Sequence, residues 1–197
     1  MALRTITVIM TGGLSSRMGR DKGALPFGGE TLLSRMITRW TGVFDGVAVS
    51  VDRPGRYGPL PVPELPDLRP HAGPMAGLEA ALTLGGADLI FLTAVDLPFS
   101  DPTLARHLAH LRGNADVCLI RRSSGRPEPL FSLYSTSCLP IITQSLDRGE
   151  RALFRGLYPF VQVREVPEQA LPGYDLDHIL FNMNRPQDWR SALSQWK

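Results

Sequence analysis

Short apolar runs alternate with helix-patterned segments from Thr5 to about residue 112. Thr5–Met10 (TITVIM), Gly46–Val51 (GVAVSV) and residues 88–94 (DLIFLTA) are short and rich in β-branched or large apolar side chains, the pattern of buried strands. Between them, residues 31–40 put Leu32, Leu33, Met36, Ile37 and Trp40 on one helical face. Pro74–Leu84 reads as a helix with Gly77 inside it, and residues 101–111 as a helix with Asp101 as N-cap before Pro102. Such alternation predicts an α/β fold. The expected form is a three-layer α/β/α sandwich around a mainly parallel, Rossmann-like sheet.

The remainder is less regular. Residues 14–29 form a polar, glycine-punctuated loop, and residues 54–74 hold seven prolines, so they carry at most a short strand. Strands are expected at 116–120, 130–134 and 160–166, with a helix at 138–146. A late strand over 179–183 then leads into a terminal helix at 186–196. There is no internal repeat or low-complexity linker, so the 197 residues read as a single domain.

Composition narrows the function classes. The chain has 21 basic and 19 acidic residues, net +2, which does not point to nucleic acid. No apolar stretch is long enough for a membrane span, and Arg4 precedes too short an apolar run for a signal peptide. Cys118 and Cys138 have no metal or redox spacing and read as buried small apolar residues. A cytoplasmic setting is expected. Only Lys22 and Lys197 are lysines, the other basic residues being arginines, and this draws attention to Lys22.

Five segments carry candidate chemistry. In Met10-Thr11-Gly12-Gly13-Leu14-Ser15-Ser16-Arg17-Met18-Gly19-Arg20-Asp21-Lys22 a strand ends in two glycines, followed by Arg17 and Lys22. Glycines let backbone amides approach phosphate oxygens, and the two cations neutralise a polyphosphate. The spacing is neither a Walker loop nor G-x-G-x-x-G. A plain polar strand-to-helix connection is the competing reading. Asp96 follows a buried strand, where a carboxylate faces the ligand crevice of an open α/β sheet and suits Mg²⁺. Alternatively it caps the next helix, a role that Asp101 fills better. Asp67, followed by Gly73-Pro74-Met75-Ala76-Gly77, allows close approach of a base or ribose, or is simply a structural loop. Asn182-Met183-Asn184-Arg185-Pro186 puts two amides on one face of a strand, or forms a turn before the last helix. Arg126-Pro127-Glu128-Pro129-Leu130 fixes a turn lining the acceptor site or, the favoured reading, is an ordinary proline turn. His71, His107, His110 and His178 have no metal-ligand spacing.

Taken together, these segments resemble the molybdenum cofactor guanylyltransferase family, a branch of the nucleotide-diphospho-sugar-transferase-like fold. The family's L-A-G-G, R-M-G and D-K-G are matched by Met10-Thr11-Gly12-Gly13, Arg17-Met18-Gly19 and Asp21-Lys22-Gly23. Its G-P-L-A-G, D-x-P and N-x-N-x-P are matched by Gly73-Pro74-Met75-Ala76-Gly77, Asp96-Leu97-Pro98 and Asn182-Met183-Asn184-Arg185-Pro186. The resemblance implies a nucleotide-binding half (1–112) and an acceptor-binding half (113–197). It implies that the backbone of Met10, Thr11 and Gly12 meets guanine and ribose, with Gly13 continuing the nucleotide-binding loop, that Lys22 meets phosphate, that Ser50 takes a base-contacting position and that Asp67 contacts the nucleotide. Asp96 binds Mg²⁺ and the nucleotide, and Asn182 and Asn184 lie near the pterin. Thr11 stands where the family usually has Ala, and Ser50 where it often has Asn.

The implied reaction transfers GMP from GTP to the phosphate of molybdopterin and releases pyrophosphate, with Arg17, Lys22 and Asp96 as the catalytic set. Implied partners are GTP, molybdopterin and, transiently, cofactor-synthesis proteins or acceptor molybdoenzymes, but not nucleic acid or membrane. Two alternatives remain open at this stage. One is cytidylyl or other nucleotidyl transfer to molybdopterin or to a sugar or polyol phosphate. The other is a nucleotide-binding regulatory or carrier protein.

Overall fold

Each apolar run expected as a strand in the first half takes its place at the centre of one sheet. The computed structural model describes residues 3–11, 21–70 and 72–195. In chain order the elements are β1 (Thr5–Met10), the short hairpin β2 (Pro26–Phe27) and β3 (Glu30–Thr31), α1 (Leu32–Trp40), β4 (Gly46–Val51), β5 (Glu64–Pro66), α2 (Pro74–Leu84), β6 (Leu89–Ala94) and α3 (Pro102–Leu111). The second half adds β7 (Val117–Arg121), β8 (Phe131–Ser135), α4 (Leu139–Asp147), α5 (Leu153–Gly156), β9 (Val163–Pro167), α6 (Leu176–Ile179) and α7 (Pro186–Gln195).

The central sheet has seven strands in the order β5-β4-β1-β6-β8-β7-β9. β1 pairs in parallel with β4 on one side and β6 on the other, β4 pairs in parallel with β5, and β7 with β9. Only β8 is reversed, antiparallel to both β6 and β7. The mainly parallel α/β expectation therefore holds. β7 and β8 form a hairpin, which is why the reversed strand enters between two strands of the common direction.

Strand side chains alternate between the two sheet faces and feed two cores. Ile9, Val49, Phe91, Cys118 and Leu133 pack against Leu33, Met36 and Trp40 of α1, Leu104 and Leu108 of α3, and Ala192 of α7. Ile6, Val8, Ala48, Ile90 and Leu119 pack on the other face against Met75, Leu78 and Ala81 of α2 and Ile142 of α4. β1 and β6 are buried along their whole length, as central parallel strands covered on both faces must be.

Local chemistry fixes the helix starts. Thr31 caps α1 by accepting from the Ser34 amide, and Asp101 caps α3 through the Thr103 amide at 2.6 Å. Since Asp101 holds the cap, the helix-capping role for Asp96 is set aside. α2 begins at Pro74 after Gly73, whose φ of 77° is the left-handed conformation that favours glycine.

One expected strand is absent. Residues 179–183 are not a strand. Leu176–Ile179 is instead a helical turn, α6, capped by Asp175 through the His178 amide at 3.1 Å, and 181–184 is irregular. The apolar Ile179-Leu180-Phe181 run suggests a strand, but its packing on the α1–α3 face of the sheet prevails over local propensity.

Candidate active site

Because β1, β4, β5 and β6 are parallel, their carboxyl ends open on the same edge, where open α/β sheets bind ligands. Met10, Ser50 and Ala94 end β1, β4 and β6 or lie within one residue of the end. Gly12, Gly13 and Arg17 lie outside the described residues. The other predicted positions fall into two groups.

The first group forms around Asp96, two residues past β6. Lys22 donates to Asp96 Oδ2 at 3.1 Å and to Asn184 Oδ1 at 3.2 Å. The ion pair is mostly sequestered, with the two side chains 15% and 19% exposed. Asp96 Oδ1 is buried and has no hydrogen-bond partner among the described residues. A buried carboxylate oxygen left unsatisfied is costly unless something fills it. Backbone bonds hold the arrangement: Val95 N to Met10 O (2.9 Å), Leu97 N to Ala94 O (3.0 Å) and Met183 N to Asp96 O (2.9 Å). Asp188 accepts from the Asn184 and Arg185 amides at 2.9 and 2.8 Å, fixing the entry to α7 and with it the Asn184 backbone. Asn182 is exposed and makes no hydrogen bond among the described residues, while Met183 between the two amides is buried. The burial alternates as expected, although the segment is not a strand, and only Asn184 joins the Lys22–Asp96 pair.

The second group forms around Gly77 in α2. A Cβ at Gly77 would lie 2.4 Å from Met10 Cε, 3.2 Å from Ser50 Oγ and 3.7 Å from Asp67 Oδ1. The glycine therefore lets α2 sit directly on three of the predicted nucleotide-contact residues. The Thr11 amide and hydroxyl both donate to Ser50 O, at 3.2 and 2.7 Å. Ser50 is 1% exposed, so its hydroxyl lies beneath the surface. The Asp67 amide donates to Val51 O at 2.9 Å, carrying the β4–β5 pairing one step further.

Three further clusters lie outside the predicted catalytic and contact residues. Arg69, two residues after Asp67, donates to Glu79 through Nε (2.8 Å) and a terminal nitrogen (3.1 Å). Thr143 of α4 reaches the same buried carboxylate at 2.9 Å. Asp21 is held by Arg56, Tyr57 and the Gly23 amide. The segment Arg126-Pro127-Glu128-Pro129-Leu130 is the β7–β8 connection, and Phe131 pairs with Thr93, three residues before Asp96. Burial raises the Glu128 carboxyl above its ordinary range, opposed by Arg122 and Arg126. Arg122 in turn pairs with Glu168 and Asp177.

The sequence and the fold match known proteins along most of the chain. Residues 7–165 match the model of the MobA-like NTP transferase domain. The chain belongs to that family. Among relatives of the MobA-like chain, a probable molybdenum cofactor guanylyltransferase of Pelotomaculum thermopropionicum is 34% identical over 189 residues, covering 94% of this chain and 90% of that one. The molybdopterin-guanine dinucleotide biosynthesis protein A of Archaeoglobus fulgidus superposes with a TM-score of 0.82 at 24% identity, over 97% of each chain. A Mycobacterium tuberculosis protein in complex with manganese superposes with a TM-score of 0.65 at 18% identity, over 98% of this chain and 100% of that one. This MobA-like chain is thus a nucleotidyltransferase by family. Among its described residues no helix is long and apolar enough to cross a membrane.

Proposed function

We propose that the protein transfers GMP from GTP to the terminal phosphate of molybdopterin, forming molybdopterin guanine dinucleotide. The reading is carried by the meeting of Lys22, Asp96 and Asn184 at the carboxyl edge, in a chain whose relatives are named molybdenum cofactor guanylyltransferase. In this reading residues 1–112 bind the nucleotide and 113–197 the acceptor, and the enzyme works in the reducing cytoplasm. It meets cofactor-synthesis proteins or acceptor molybdoenzymes only transiently.

An oxygen of the molybdopterin phosphate attacks the α-phosphorus of GTP in line. A new P–O bond forms, the bond from the α-phosphorus to the α–β bridging oxygen breaks, and pyrophosphate leaves with the electron pair. Lys22, together with Arg17, neutralises the charge that grows on the leaving group. Asp67 and the backbone of Met10, Thr11, Gly12 and Gly13 hold base and ribose, with Ser50 supporting Thr11 from below. Asn184 holds the Lys22 ammonium from the acceptor side, and the exposed Asn182 amide is free to meet the pterin. Positioning and charge neutralisation suffice, with no covalent enzyme intermediate.

The residues present fit Mg²⁺. Asp96 offers a hard oxygen, Oδ1, that no described residue satisfies, while Oδ2 is taken by Lys22. Among the described residues no cluster of three or more His, Cys, Asp or Glu could cage an ion. That suits a cation that keeps waters and shares substrate phosphates. When bound there, Mg²⁺ would supply charge neutralisation at the phosphate oxygens. The test is pyrophosphate release with each of the four nucleoside triphosphates, with and without molybdopterin. Acceptor-dependent release with GTP supports the proposal, and a preference for CTP moves the chain to the cytidylyl branch. Tight binding without release makes it a carrier.

A further inference from the structure

Asp21, immediately before Lys22, is gripped by side chains from a distant part of the chain. Tyr57, in the proline-rich connection between β4 and β5, donates its hydroxyl to Asp21 Oδ1 at 2.9 Å. Arg56 adds two bonds to Asp21 Oδ2, from Nε and a terminal nitrogen, both at 2.7 Å. Its other terminal nitrogen pairs with Asp52 Oδ2 at 2.9 Å, which ties the fork back to the end of β4. The Gly23 amide supplies a further donor to Asp21 Oδ1 at 2.9 Å.

The turn is shaped for this grip. A Cβ at Gly23 would come within 2.8–2.9 Å of the Tyr57 ring and hydroxyl, so only glycine lets the phenol lie against the backbone here. Each residue of Asp21-Lys22-Gly23 then has its own task. Asp21 accepts the clamp, Gly23 makes room for it, and Lys22 between them projects its ammonium to Asp96 and Asn184.

We propose that Arg56 and Tyr57 are positioning residues for nucleotidyl transfer. They fix the Asp21 carboxylate and with it the turn that carries Lys22, and so aim the ammonium at the triphosphate. This inference rests on the nucleotidyl-transfer reading. Neither side chain needs to touch the nucleotide. Misplacing a catalytic group by a small distance is enough to weaken its contacts.

The experiment is steady-state kinetics and calorimetric triphosphate binding for Tyr57→Phe, Arg56→Ala, Arg56→Lys and the wild type, with melting temperatures. Arg155→Ala, which removes a surface pair with Glu150 remote in the fold, is the control. Tyr57→Phe keeps the ring on Gly23 and deletes only the hydroxyl. Tyr57→Phe and Arg56→Ala are expected to raise the triphosphate KM and Kd by on the order of tenfold, the scale of one lost hydrogen bond to a charged group. The KM for the acceptor should stay unchanged, and the melting temperature, which falls with the lost bonds, should leave each variant folded at the assay temperature. Arg56→Lys should recover only part of the loss, since an ammonium lacks the planar fork. A merely structural role would reduce the active fraction, and so the apparent turnover, without moving KM. Unmoved KM and Kd in Tyr57→Phe and Arg56→Ala overturn the proposal. If the wild type prefers a triphosphate other than GTP, the guanylyl reading fails and the clamp is judged with that triphosphate. If it binds none, both fail.

Discussion

Lys22 and Asp96 are 74 residues apart in the chain, yet the ammonium lies 3.1 Å from Oδ2 of the carboxylate. β1 and β6 are neighbours in the sheet and end side by side at Met10 and Ala94. The pair leaves Asp96 Oδ1 unused, and this division of one carboxylate between a lysine and an open position is what the proposed chemistry needs.

Asp96→Asn keeps the shape of the side chain and removes its charge. Pyrophosphate release is expected to fall at least about a hundredfold, the scale of losing a main electrostatic stabiliser. Circular dichroism should not change. Normal turnover would make Asp96 structural and place the metal elsewhere.

Lys22→Ala and Lys22→Arg should both be impaired. The ammonium meets two acceptors, Asp96 and Asn184, in a narrow space, and a guanidinium carries the same charge on a larger planar group. A change mainly in kcat would mark transition-state contacts, and a change in KM for GTP ground-state ones. Full activity of Lys22→Arg would show that only the charge matters.

Gly77→Ala separates function from stability. Alanine gains about 1 kcal/mol of helix propensity over glycine. Its methyl would sit 2.4 Å from Met10 Cε, so Met10 must move, and overpacking costs about 1–3 kcal/mol. The net is about 0–2 kcal/mol of destabilisation, so the melting temperature should stay level or fall by at most several degrees. Met10 must shift and Ser50 must give by a few tenths of an ångström, so GTP affinity should drop measurably in a titration. Unchanged affinity would detach this cluster from nucleotide binding.

Burial pushes the Cys118 thiol up to about 11 and the Cys138 thiol to about 12. Thiolate is the reactive form, so at pH 8 neither should react in the native protein. Both should label rapidly in denaturant. Fast labelling of the folded protein, followed by mass spectrometry, would contradict the packing of β7 and the start of α4.

The parts of the fold written in local patterns are legible in the sequence. β1, β4, β6 and the apolar face of α1 follow from side-chain periodicity, and Asp101 caps α3 where the Asp-Pro pair suggests. The strand β5 lies within the proline-rich stretch at the sheet edge, where proline is tolerated. Residues 179–183 mislead because three consecutive apolar residues suit a strand as well as a packed turn. Lys22, Asp96 and Asn184 are visible singly as candidate residues, but their meeting is set by strand order, which no local pattern encodes. Arg56, Tyr57, Arg69 and Glu79 are hidden for the same reason. Each acts through a partner distant in sequence, and an arginine or tyrosine in a proline-rich loop has no periodicity to mark it.

The most direct test of guanylyl transfer follows the label. The enzyme is incubated with molybdopterin, Mg²⁺ and GTP labelled either at the α- or at the γ-phosphate, and the products are separated. The account predicts that α-label appears in a pterin dinucleotide and γ-label in pyrophosphate, in equal amounts and only when the acceptor is present. γ-label in the pterin product, or release of inorganic phosphate without dinucleotide, would contradict it.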